Sequence, residues 1–348
     1  MANIFARSPY IIRIAQAGQI GSKVEIWLSP TTFSVSPQYT LSKLIPSPTN
    51  VETLYDISPY IREYITFLAC SSVGSSAIPN PTNERVNVQL KLYTDNGTTV
   101  AQIGGTQTHL AFEGYTYYED QYNKDLGNIG LDEGTYYYNP TSDAGKIRIT
   151  NCAVVYRNFS NTIIELITGS STTRDVRRVT PTLQQQGNKV EVLDVLSGAI
   201  LKTFTFLPMD ECRYTPVIID FVNKYGAWQR EFFFKASNDT FTVESTEYNL
   251  LQTSQFASSP STFYSGLEGQ RKVFNANGKK SIKVNTGWVK ETWSEVLKQI
   301  MLSERILIDN KPAKINTKST ELFKQINTKQ INYSLEFEFA YEVINSVI

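Results

Sequence analysis

Ile331-Asn332-Tyr333-Ser334-Leu335-Glu336-Phe337-Glu338-Phe339-Ala340-Tyr341 puts an apolar or aromatic residue at every second place and a polar or small one between. A period of two sends successive side chains to opposite faces of an extended strand. Five large side chains, Ile331 to Phe339, then share one face. Burying each is worth roughly 1.5–3 kcal/mol gross, so together they match the net stability of a whole domain. The pattern predicts a strand over 331–341 that completes the last sheet as an edge partner.

Working outward, the composition suits the same architecture. The chain of 348 residues has room for two or three cores, and its 20 Tyr and 18 Phe favour strands. Lys plus Arg and Asp plus Glu both number 33. No net electrostatic pull toward nucleic acid or an anionic membrane follows, and no specific nucleic-acid binding is expected. No apolar run approaches the roughly 20 residues of a membrane span. Met1 to Arg7 lack the basic region and apolar core of a secretion signal, so synthesis and residence in a cytoplasm are expected.

Upstream, Tyr10–Ile14 and Val24–Leu28 read as strands. Ser58-Pro59 has the form of a helix start, with Ser58 as cap and Tyr60, Ile61, Tyr64 and Ile65 at helical spacing. Val86–Leu92 alternates and meets Asn96-Gly97 before Thr98–Ile103, the strongest short hairpin signal in the chain. Strands are also expected at Lys146–Tyr156, Thr162–Ile167, Val190–Val195, Leu201–Leu207, Val217–Val222 and Glu231–Lys235. Trp293, Val296, Leu297, Ile300 and Met301 form one apolar stripe, predicting an amphipathic helix over 290–303. Arg305–Ile308 and Ala313–Ile315 flank a second hairpin turn. The fold class expected is mostly β: two β-sandwich-like domains with minor helices and that one amphipathic helix near the C-terminus. An N-terminal domain would span 1–170, a polar linker 171–186, and a C-terminal domain 187–348. Gly187-Asn188-Lys189-Val190-Glu191-Val192 echoes Gly21-Ser22-Lys23-Val24-Glu25-Ile26, and Thr215-Pro216-Val217-Ile218 loosely parallels Ser58-Pro59-Tyr60-Ile61. Whether the halves are duplicates stays open.

The residues for chemistry are few. His109 is the only histidine, and there is no GxSxG, phosphate loop or dinucleotide fingerprint. Cys70, Cys152 and Cys212 are scattered and suggest buried apolar residues rather than a disulfide framework or a zinc site. No catalytic residue, cofactor or metal is therefore expected. Glu119/Asp120 and Asp132/Glu133 are the only support for a glycoside hydrolase, which needs two carboxylates at a suitable separation. They also lack the ligand spacing of a calcium loop. Arg174, Arg177 and Arg178 suit salt bridges to a partner better than phosphate binding.

Gly114 to Asn139 holds seven Tyr without the period of a strand or a helix. Tyr combines large contact area with a polar tip and few torsions to freeze. Tyr117, Tyr118, Tyr136 and Tyr137 are the candidate subunit-interface residues. The competing reading folds this 114–139 loop back on its own domain.

Three stretches carry a family resemblance: Cys212 through Gln229, Thr286-Gly287-Trp288-Val289 leading into the Trp293 helix, and Ile331–Phe339 itself. Asp56 to Ile65 has the same character. Together they resemble structural proteins of tailed phages infecting Bacteroidetes, including the crAss-like phages. The resemblance implies a virion tail protein, a ring, hub or baseplate subunit built from β domains around the tail axis. Its partners would be identical subunits and other tail or portal-associated proteins, and no active-site residues come with it. A receptor- or carbohydrate-binding tail appendage is the alternative, and a glycoside hydrolase a distant third.

Overall fold

The strand near the C-terminus forms, over Gln330–Phe339, but inside a sheet rather than at its edge. In the computed structural model, the described residues are 2–45, 52–65, 78–79, 85–138, 147–170, 176–179, 187–209, 215–249, 254–256, 259–263, 271–320 and 330–344. The largest sheet runs, edge to edge, Trp228–Phe233, Val217–Val222, Ile306–Ile308, Lys311–Ile315, Gln330–Phe339, Arg271–Lys290 and Asn238–Asn249. Tyr333, Leu335 and Phe337 are buried while Asn332, Ser334 and Glu336 face out, as the alternation requires. Hydrogen bonding on both sides explains the interior place: the strand pairs antiparallel with Lys311–Ile315 and with Arg271–Lys290.

The fold is mostly β. A second sheet runs Asn3–Phe5, Val100–Phe112, Arg85–Asp95, Gly21–Ser29 and Tyr39–Leu44. A central sheet runs Ile163–Ile167, Cys152–Arg157, Asn188–Asp194, Ile200–Pro208 and Gly134–Tyr138. The Asn96-Gly97 hairpin is present, with Asp95 opposite Val100 and Gly97 at φ +85°. The second hairpin turns on Asp309-Asn310, both at positive φ, and joins Ile308 to Lys311. The amphipathic helix is Ser294–Leu302, entered through a 3-10 turn at Glu291–Trp293. Trp293 stacks on Tyr333 at 6.1 Å and meets Phe233 edge-on at 5.9 Å. The first helix is Ser58–Tyr64, but Ile57 is its cap residue. The Ser58 hydroxyl instead accepts from the Tyr10 amide at 2.7 Å and donates to the Ser8 carbonyl, so it ties two segments together.

Two expectations are revised by the pairing. Lys146–Tyr156 is two strands, Ile147–Thr150 and Cys152–Arg157, separated by Asn151 at φ +51° and placed in different sheets. The expected linker 171–186 contains a strand, Val176–Val179, paired with Ile147–Thr150. Cys152–Arg157 also pairs with Asn188–Asp194, and Gly134–Tyr138 runs parallel to Ile200–Pro208. Strands from both sides of the expected boundary therefore share one sheet. A strand whose Arg178 is buried thus stands within that polar stretch.

The main cores divide elsewhere. One gathers Ile4 to Ala111, with Val222 and Trp228 added; the other runs from Ile129 to Phe337. The echo at Gly21 and Gly187 does occupy matching places. Gly21 begins an interior strand and Gly187 immediately precedes one, and each strand carries a Lys–Glu pair two residues apart, Lys23–Glu25 at 2.8 Å and Lys189–Glu191 at 3.1 Å. The Thr215-Pro216 parallel does not match, since a strand follows it where a helix follows Ser58-Pro59.

Leu335→Ala should destabilise the protein by about 2–5 kcal/mol, whereas Glu336→Ala on the opposite face should cost within about 0.5 kcal/mol. Urea denaturation checks this; equal losses at the two positions would place the strand outside the core.

Candidate functional site

Two chain segments cross in backbone contact where the second sheet ends. After Phe112 the chain passes Glu113-Gly114-Tyr115 beneath the corner Asn223-Lys224-Tyr225-Gly226-Ala227. A Cβ on Gly114 would lie 2.4 Å from the Lys224 carbonyl oxygen and 2.5 Å from the Phe5 ring. Gly226, at φ +67°, approaches the Gly114 nitrogen so that its own Cβ would lie 2.7 Å away. Only residues without side chains permit this approach. Asn223, fully buried, holds the corner: its Oδ1 accepts from the Tyr225 and Ala227 amides, and its Nδ2 donates to the Gly130 carbonyl and to Gln229.

The tyrosine-rich segment folds onto this corner. Asp132 accepts from the Tyr225 hydroxyl at 2.6 Å and from Gln299 at 2.7 Å, with Lys224 at 3.0 Å. Burial works against its charge, but the Tyr225 bond, the Lys224 ammonium and Gln299 together hold its carboxyl below the usual range. The Tyr117 hydroxyl donates to Glu295 at 2.7 Å. Burial, then the Glu295 bond, pushes the Tyr117 phenol upward. Burial likewise lifts Tyr115, beneath the Arg7 guanidinium, to about 12. Asn123 caps the segment against the N-terminal strand, accepting from the Ile11 amide at 2.6 Å and donating to its carbonyl at 2.7 Å.

The four candidate tyrosines therefore divide. Tyr136 is buried in the strand Gly134–Tyr138, its hydroxyl donating to the Asp132 carbonyl. Tyr137 is half-buried against the core, and Tyr117 is engaged within the chain. Tyr118 alone of the four is fully exposed, and Tyr122 nearby is 65% exposed. The segment is thus largely packed on its own chain. The strand in it escaped the sequence pattern because three consecutive Tyr, Tyr136 to Tyr138, offer no alternation to read although their burial differs. Tyr118, Tyr122, Pro9 and Ile11 line an open, mainly apolar groove of about 630 Å³.

The chemistry-bearing residues lie apart, several of them hydrogen-bonded within the fold. Asp120 accepts from the Tyr117 amide, and Glu133 from the Thr203 amide. His109 lies with Nδ1 3.3 Å from the Ala2 carbonyl and its ring edge-on to Tyr10. Burial raises the Cys152 thiol to about 11; Cys70, Cys212, Arg174 and Asn139 lie outside the described residues. Among the described residues no group of three His, Cys, Asp or Glu side chains could hold a metal ion. No helix among them is long and apolar enough to cross a membrane.

No protein-family model matches the chain, and no curated protein matches it. The segments that carry the phage resemblance have clear places in the fold. Asn223 to Gln229 build the corner. Thr286-Gly287 form a bulge against the Gln330–Phe339 strand, with the Thr286 hydroxyl accepting from the Tyr333 amide at 2.9 Å.

A second surface has no counterpart in the sequence reading. Asn238–Asn249 pairs antiparallel with Arg271–Lys283 as a two-stranded arm, and all twelve residues of the first strand are exposed. Phe241, Val243, Val273 and Phe274 are each more than half exposed upon it.

Glu231 offers a pH test of the core beneath the corner. It is buried, accepts from Gln229 at 2.8 Å, and is raised by desolvation to about 7. The folded state keeps this proton to about pH 7, whereas the unfolded chain releases it near the ordinary value of 4.5. The resulting stability is complete below pH 4.5 and is lost as pH rises toward 7. Glu231→Gln should therefore gain about 3 kcal/mol over the native protein on going from pH 4.5 to pH 8. Paired urea titrations at the two pH values check it; a pH-independent difference would show that the carboxyl titrates normally.

Proposed function

We propose that this chain is a structural subunit of a phage virion tail, a ring, hub or baseplate component that assembles with copies of itself around the tail axis. The observation that carries the assembling part is the arm. An isolated two-stranded ribbon is marginal in water, and an uncovered strand edge invites pairing. An exposed twelve-residue strand carrying Phe241 and Val243, beside Val273 and Phe274 on its partner, suits a surface that is covered on assembly. The phage part rests on the resemblance, whose segments are engaged in architecture here: a backbone crossing, a bulge and a core strand. Other tail or portal-associated proteins would complete the partner set, with the virion as the final location. This reading assigns no catalytic part to Asp120, Asp132 and Glu133, which accept from two backbone amides and a tyrosine hydroxyl.

One observation favours the second reading, a receptor- or carbohydrate-binding appendage: the Tyr118 and Tyr122 groove offers exposed aromatic faces on which sugars stack. Negative-stain imaging of the purified full chain separates the two. Closed rings are expected for the tail subunit, and elongated trimers would favour the appendage and overturn the ring reading.

A further inference from the structure

The arm carries its charges by strand. Asn238–Asn249 holds Asp239, Glu244 and Glu247 and no Lys or Arg. The outer part of its partner strand, Arg271 to Lys280, holds Arg271, Lys272, Lys279 and Lys280 and no Asp or Glu. Within the arm Lys279 meets Glu244 across this divide at 2.9 Å.

Both outer edges of the arm are bordered by no described strand. Asn238–Asn249 is the last strand of its sheet among the described residues. On the opposite side, Gln330–Phe339 pairs only from Ser281 onward, and the Val343 amide bonds the Gly278 carbonyl at 2.8 Å. Arg271 to Ala276 are thus left with an outer edge unpaired by any described strand. One edge is acidic and the other basic, on opposite sides of one ribbon.

We propose that this arm joins a second copy of this chain edge to edge: the acidic strand 238–249 of one subunit adds to the basic edge 271–276 of the next. The contact rests on the assembling-subunit reading and names the surface that makes it. Arms pointing the same way place these two edges antiparallel, so the ribbon continues as one antiparallel sheet across subunits. A two-fold contact between acidic strands would bring three acids against three with no base between them. The complementary contact is therefore head-to-tail, the kind that repeats around a ring. Opposite charges also oppose the wrong edge pairing.

Two variants and their mixture test this. Glu244→Lys with Glu247→Lys makes both edges basic; Arg271→Glu with Lys272→Glu makes both acidic. Each variant alone should remain a monomer under conditions where the native chain assembles, as read by analytical ultracentrifugation. Mixed in equal amounts they should assemble again, since each then presents an edge complementary to the other. Charge repulsion inside each arm persists in the mixture, so recovery cannot come from mending the ribbon. Failure of the mixture to assemble would limit these charges to the ribbon itself and overturn the contact. Variants that assemble alone like the native chain would place the contact elsewhere and leave the subunit reading standing. A native chain that stays monomeric throughout would remove the self-assembling reading and the contact together.

Discussion

The close crossing of Gly114 and Gly226 is the constraint on which the rest of the structure depends. Two backbones approach where any side chain would collide with a carbonyl, an amide or the Phe5 ring. The flanking residues then divide between the two main cores. Phe221 and Phe233 enter the larger core, while Val222 and Trp228, on the same strands, enter the smaller one. One hairpin corner thereby belongs to both. Asn223 sets its shape, because a buried side chain serving two amides and two acceptors leaves the loop little freedom.

Charged groups reinforce the same junction. Asp220 and Arg230, directly opposite on the corner strands, form a buried bidentate pair at 2.7 and 2.8 Å. Such a pair contributes little net stability but strongly penalises the loss of either partner. Farther out, Glu304 meets Arg7 and Arg62, and Glu113 meets Arg305 at 3.3 Å. Burial raises the Glu113 carboxyl despite Arg305. The polar residues near the tyrosine segment thus hold the two cores in one arrangement, and among the described residues the arm and the Tyr118 groove present exposed aromatic and apolar side chains.

Elements whose residues alternate cleanly were legible in the sequence. The Gln330–Phe339 strand, the Asn96-Gly97 hairpin and the Trp293 helix stripe all follow from local period and turn chemistry. Partners distant along the chain were not legible. Tyr117 looked free because its acceptor, Glu295, lies 178 residues away. Gly114 looked like a flexible-loop residue because its need for space comes from Lys224 and Phe5. The strand Val176–Val179 was masked by polar neighbours. The arm was missed because its alternation is weak: both faces are exposed, so no buried face imposes a pattern. The charge division between its strands was present in the sequence but had no meaning until their pairing was known.

Calorimetry of the full chain and of Asn223→Ala tests most directly whether the corner unites the two cores. The native protein should unfold in one cooperative transition involving both cores. Asn223→Ala, which strands the Tyr225 and Ala227 amides and the Gly130 carbonyl, should split it into two separated transitions. A variant that kept a single transition at an unchanged midpoint would contradict the claim that this corner holds the fold together.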